Sequence, residues 1–262
     1  ADDNHAALLD LARFNRGEAD VLLGGRIQDF PLASAVGLLR GTIQLDPVLG
    51  LFGLAVTNEE GFLATPENRE ALAMAVDRAG LIDAFGVGNW TPSTRIVAGG
   101  LDGDLGTIGE RWSMLDLDQR RALAASRVAR WRESAGAAPR LRIALPTGSG
   151  ADVMFDHLKR DFAAIGVETL RVGELGVADL RLVDEVARYP LATWFLNRFN
   201  CRVQRGLCNQ AADERLAEAR ASEDPAARPA LLAEAEAELT AANVFIPFGA
   251  PIRWSLVRSD AI

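Results

Sequence analysis

The 262-residue chain is 49% hydrophobic and 24% charged, an ordinary globular composition for one large domain or two small ones. Lys and Arg number 28 against 36 Asp and Glu, a net charge of −8. Neutralising phosphates needs the opposite surplus, so nucleic acid is not an expected partner.

Taken from the N-terminus, ADDNHAALLD is acidic and has no apolar core segment, so it does not read as a signal peptide. The chain is therefore expected to be cytosolic, or else processed or truncated. The longest uncharged runs, PLASAVGLL (31–39) and PVLGLFGLAVTN (47–58), fall short of the roughly 18–20 apolar residues that span a bilayer. Residues 5–25 read as a helix followed by the short strand ADVLLG. GTIQLDP (41–47) and LFGLAVT (51–57) read as strands around a Pro-Gly turn region. Next, Thr65 can cap a helix whose first position is Pro66, where a missing N–H costs nothing. Ala71, Leu72, Ala75 and Val76 share one face of it. Asp77 is placed to cap a second helical turn with Leu81, Ile82 and Phe85 as its apolar side, and Gly86 and Gly88 end it. The pair Asp77–Arg78 thus reads as a cap and a hinge between helices rather than as a catalytic dyad.

STRIVAGGLDGDLG (93–106) is turn-rich and is expected to run over the surface. Residues 117–136 form a helix with Ala124, Val128, Trp131 and Ala135 on one side and a solvated run of arginines on the other. LRIALP (141–146), a helix over 151–166 and VETLRVG (167–173) make a βαβ unit, which implies a parallel strand pair. ADLRLVDEVA (178–187) is a further strand. Helices follow at 213–221 and 227–242, the second burying Leu231, Leu232, Ala235 and Leu239. Strands at 244–251 and 252–257 close the chain. With no repeat or low-complexity linker, the pattern predicts one α/β unit, a mixed β-sheet flanked by helices.

Signals for chemistry are sparse. TGSGAD (147–152) puts small residues at a helix start, where backbone N–H groups can hold an anion, but it lacks the G-K-[ST] ending of a phosphate loop and the G-x-G-x-x-G of a dinucleotide fold. It reads as a plain strand-to-helix turn. Ser149 has no G-x-S-x-G context, and His5 and His157 have no partners at metal-ligand spacing. No cofactor and no catalysis are expected. Cys201 and Cys208 are either two buried thiols or a local disulfide, and the polar, Gly-containing NCRVQRGLCN suits the disulfide better. Closing that loop would stabilise by roughly 2.5 kcal/mol and would place the protein outside the cytosol.

In order along the chain, several segments resemble the extracytoplasmic solute-binding proteins of peptide/nickel-type ABC transporters, solute-binding protein family 5. They are NRGEADVLLGG (15–25), PENREALAMAVDRAGLIDAF (66–85), WRESAG (131–136), HLKRDFAAIGVETLRV (157–172), DLRLVDEVARYPLATWFLNRFNC (179–201) and the closing helical stretch to VFIPF (244–248). Within the second, Arg69, Ala71, Ala75, Asp77 and Arg78 are the matching positions. Dipeptide-binding members carry a cysteine pair where Cys201 and Cys208 stand.

The resemblance implies a periplasmic-binding-protein-like lobe and a receptor that closes on its solute about a hinge. Its partners would be a small solute or peptide, a membrane permease and a missing N-terminal lobe, and its location the periplasm. Members run to about twice this length, so residues 1–40 correspond to a stub of the hinge-connected first lobe and 41–262 to the C-terminal substrate-binding lobe. Peptide binders place an Asp in the loop after the strand at 178–187 to pair with the peptide α-ammonium. Here Val186 or Ala187 takes that place, with Asp184 and Glu185 one to three residues earlier. The expected ligand contacts are Asp184, Glu185, Arg188, Tyr189 and Trp194, with Phe195 in the core. The alternative reading is the ligand-sensing domain of a regulator or receptor built on the same fold.

Overall fold

The computed structural model describes residues 3–34 and 41–258. Helix α1 (Asp3–Arg16) and strand β1 (Val21–Arg26) are followed by β2 (Gly41–Pro47), β3 (Gly50–Val56), α2 (Pro66–Ala75), α3 (Arg78–Asp83) and α4 (Leu117–Ala135). Then come β4 (Arg140–Leu145), α5 (Ser149–Ala163), β5 (Glu168–Gly173), β6 (Leu180–Val186) and α6 (Ala192–Asn197). The chain continues through α7 (Gln210–Ala221), α8 (Arg228–Ala242), β7 (Phe245–Gly249) and β8 (Ile252–Arg258).

Five strands form the main sheet in the order β5-β4-β6-β3-β7. The expected βαβ unit is present: β4 and β5 pair in parallel from Arg140↔Glu168 to Leu145↔Gly173, with α5 as the crossover. β4 also pairs in parallel with β6, while β3 runs antiparallel to β6 and β7, so the sheet is mixed. A three-stranded antiparallel sheet, β1-β8-β2, stands beside it.

The interior strand β3 is buried at every position, which explains why its sequence, GLFGLAV, is continuously apolar rather than alternating. Its two-residue period still decides which core each side chain joins. Phe52, Leu54 and Val56 face a core shared with Leu72, Leu81, Val128 and Phe162, under α2 to α5. Leu51 and Ala55 face a second core with Phe195, Leu216, Leu232 and Leu239, under α6 to α8. The first core continues through Phe14, Ile27, Trp254 and Leu256, so the two sheets share one apolar interior.

Local chemistry sets the helix ends. Thr65 accepts the Asn68 N–H at 3.3 Å with Pro66 in the first turn, and Asp77 accepts the Gly80 N–H at 2.9 Å, as expected. An Asp116/Gln119 capping box opens α4, and Gly136, at φ 74°, ends it in the left-handed conformation open to glycine.

Four expectations are corrected. Arg78 is no hinge: its guanidinium is buried and donates to the carbonyls of Pro247 (2.7 Å) and Ala73 (3.0 Å), clamping the α2–α3 junction to β7. Burial lowers its pKa to about 9. The arginines of α4 are not all solvated, since Arg127 bonds Glu70 at 2.6 Å and Arg121 pairs with Asp161. Ala135, expected on the apolar side, is exposed. Nor does 93–106 lie wholly on the surface. Ile96 and Val97 are buried, and Arg95 anchors the segment to Asp104 and Glu236.

The glycines of TGSGAD answer a packing need. A Cβ on Gly148 would lie 2.5 Å from the Gln28 carbonyl oxygen, and one on Gly150 would lie 2.0 Å from that of Ile27. The start of α5 is thus closed by the 27–28 backbone, in keeping with the strand-to-helix turn.

Candidate functional site

The C-terminal end of β6, the start of α6 and the loop between the two cysteines surround a cleft of about 710 Å³, walled on its other side by β1 and β8. All five sequence-predicted contacts, Asp184, Glu185, Arg188, Tyr189 and Trp194, line it. Four arginines that the sequence did not single out, Arg26, Arg198, Arg205 and Arg253, line it as well.

Neither carboxylate is unoccupied. Asp184 accepts the Arg253 guanidinium at 2.7 Å, which joins β6 of the main sheet to β8 of the small one. Burial drives the Asp184 carboxyl above the usual range, and the opposing pull of Arg253 does not cancel it. Glu185 accepts Arg198 at 3.0 Å and lies 3.7 Å from Arg205. Among the described residues Arg26 and Arg188 form no close ion pair, although the charge of Arg26 helps to pull against the rise at Asp184. Tyr189 is 43% exposed, and Trp194 meets Phe195 edge-on at 5.1 Å. Phe195 itself is fully buried, as expected.

Cys201 and Cys208 form a disulfide. Two bonds hold the loop it closes: Cys201 N–H donates to the Asp213 carboxylate at 3.0 Å, and Leu207 N–H donates to the Val56 carbonyl at 2.8 Å. Val203 and Arg205 enter the cleft from that loop. A second opening of about 890 Å³, lined by Thr57, Asn58 and Glu60, shares Glu185, Arg198 and Arg205 with the first.

The additional arginines had no signal at the sequence level. Arg26 and Arg253 are neighbours through the antiparallel pairing of β1 with β8, although the two strands lie at opposite ends of the chain. Among the described residues no His, Cys, Asp or Glu cluster has the make-up of a metal site, and no helix is long and apolar enough to cross a membrane.

No protein-family model and no curated protein matches the sequence. Solved structures do. The chain superposes on Haemophilus influenzae OppA in complex with RPPGFSPFR with a TM-score of 0.80 at 20% identity, covering 96% of this chain and 52% of that one. The Escherichia coli murein tripeptide binding protein MppA gives a TM-score of 0.81 at 18% identity with the same coverages. NikA from Brucella suis, in complex with Fe(III)-EDTA, gives 0.71 at 18% identity, covering 95% of this chain and 55% of that one. The chain thus spans about half the length of the structures it matches. Those neighbours are binding proteins of solute-binding protein family 5, and over nearly its whole length this chain has the fold of a partial lobe of them.

Proposed function

We propose that this chain is the solute-contacting lobe of an extracytoplasmic binding protein serving a peptide/oligopeptide-type ABC importer, and that it works in the periplasm without catalysis. The observation that carries this reading is the fold match over 96% of the chain to OppA, a protein solved with a bound peptide. The convergence of all five predicted contacts on one cleft supports it. In this reading residues 1–40 are a stub of the first lobe and 41–262 the C-terminal lobe. The solute rests on Arg188, Tyr189 and Trp194, and a second lobe closes over it about the hinge to exclude water. The membrane permease then receives the loaded, closed form.

Affinity should depend on both lobes. Losing half of a micromolar binding energy of about 8 kcal/mol leaves an affinity near millimolar. Calorimetry with peptides, metal chelates and small organic acids on the chain, alone and rejoined to a first lobe, tests this. Tight binding by the rejoined protein and weak binding by the chain alone is the expected pair of results. Failure of the rejoined protein to bind any member of the panel would overturn it.

A further inference from the structure

The charge of the cleft is out of character with the chain. Of thirteen lining residues five are arginines, whereas the whole protein has 28 basic residues in 262 and a net charge of −8. Against those five guanidinium groups stand two carboxylates, Asp184 and Glu185, a surplus of three positive charges. Both carboxylates are already held by guanidinium groups, Asp184 by Arg253 at 2.7 Å and Glu185 by Arg198 at 3.0 Å. An incoming ammonium would therefore meet no open carboxylate, and the surplus would repel it. Arg26, on β1, and Arg188, after β6, come from different walls and form no close ion pair among the described residues, although the charge of Arg26 is felt by Asp184. A guanidinium fork matches the two oxygens of a carboxylate or phosphate, and such charge-assisted pairs are stronger than neutral hydrogen bonds. Tyr189 and Trp194 supply the apolar contact for a carbon skeleton between the two ends.

We propose that the cleft takes a compact solute bearing two oxyanion groups, one held by Arg26 and the other by Arg188. The proposal rests on the solute-binding reading above and gives the class of solute. Arg205, which is exposed and only 3.7 Å from Glu185, is a third guanidinium within reach of a larger anion.

The chain has one tyrosine, Tyr189, so protein labelled with 15N-tyrosine gives a single backbone amide resonance that reports on this cleft. Citrate and 2-phosphoglycerate, at matched ionic strength, probe the carboxylate and phosphate sources of the anion, and trialanine amide probes an ammonium ligand. The expected result is a saturable shift with one or both anions and none with trialanine amide, the tighter anion naming the oxyanion. Arg26→Gln and Arg188→Gln should each weaken the anion about tenfold and leave the melting temperature unchanged, because neither side chain has an ion-pair partner to lose. A shift with trialanine amide alone, or anion binding indifferent to both substitutions, would overturn the solute class and leave the cleft as a binding site. If none of the three probes moves the Tyr189 resonance, the cleft reading and the solute class fall together.

Discussion

Asp184 on β6 and Arg253 on β8 are locked together twice: the guanidinium meets the carboxylate at 2.7 Å and the Asp184 backbone carbonyl at 3.2 Å. Each residue belongs to a different sheet, so the pair ties the main sheet to the small one at the floor of the cleft. Removing either partner leaves a partly buried charge uncompensated. Asp184→Ala and Arg253→Ala should each cost about 1–3 kcal/mol. The double variant should cost less than the sum, because the charge stranded by one substitution is removed by the other. Urea unfolding of the four proteins measures this, and strict additivity would show that the contact carries no energy.

The segment after α3 offers a second test. Arg95 donates to Asp104 at 3.0 Å and to Glu236 on α8 at 2.9 Å, and Glu236 also accepts the Val97 N–H at 3.2 Å. Burial opposes charging Arg95, but its bonds to Asp104 and Glu236 prevail and hold its pKa up. Glu236 is pushed up by burial despite Arg95. Arg95→Leu strands both carboxylates and should cost about 3–5 kcal/mol at neutral pH. Part of the loss should return on acidification, as the buried Glu236 takes up a proton. Adding Glu236→Gln should return part of it at neutral pH as well. Thermal melts of the three proteins check the order, and no rescue by the second substitution would refute the ion-pair account.

What could be read in the sequence was what sequence neighbours decide. The caps at Thr65 and Asp77 and the βαβ unit over 140–173 depend on residues close together in the chain, and they stand as expected. So does the grouping of Arg188, Tyr189 and Trp194, which share one loop and helix start. What could not be read rests on long closures. Arg78 is held by a carbonyl 169 residues away, which turns an apparent hinge into a clamp. Arg95 reaches Glu236 across 141 residues, which draws Ile96 and Val97 inward from a segment whose composition reads as surface turn. In the cleft, Arg253 meets Asp184 across 69 residues. An isolated arginine carries no periodicity, so only the sheet pairing reveals which ones converge.

Stability should also depend on pH through His157. Its Nε2 lies 3.0 Å from the Asp77 carbonyl and 3.4 Å from the Asp161 carboxylate. That carboxylate also accepts the Asp77 N–H at 2.9 Å and pairs with Arg121 of α4, while Arg120 bears on the same two acids. Burial disfavours the charged ring, but the bonds and charges of Asp161 and Asp77 outweigh it, so the pKa of His157 is raised on folding. A raised pKa means that the folded state binds the proton more tightly. The resulting stabilisation is complete below the unfolded value of about 6.5 and is lost as pH rises through the higher folded value. Urea midpoints collected upward from mildly acidic pH should fall across that window, and His157→Gln, which keeps a donor but cannot titrate, should flatten this part of the profile. A midpoint that rises with pH in the parent protein over the same window would contradict the assignment.

The disulfide bears on both stability and the cleft. Cys201 and Cys208 close a loop whose Val203 and Arg205 line the site, and Arg205 stands 3.7 Å from Glu185. Reduction restores entropy to the unfolded chain, worth roughly 2.5 kcal/mol for a loop this short. For a protein of this size that lowers the melting temperature by about 5–10 °C. The Cys201→Ser, Cys208→Ser variant should melt lower by the same amount and become insensitive to reductant. A periplasmic setting carries the further expectation that protein taken from its native host already holds the bond, so that alkylation without reductant labels neither cysteine. Two labelled cysteines in that sample would move the protein to a reducing compartment and remove it from the import pathway. Freed from its tie, the loop should also lose its hold on the anion-facing wall. The Tyr189 resonance of reduced protein should then need more of the anion to saturate, whereas an unchanged titration would show that the bond stabilises the fold without shaping the cleft.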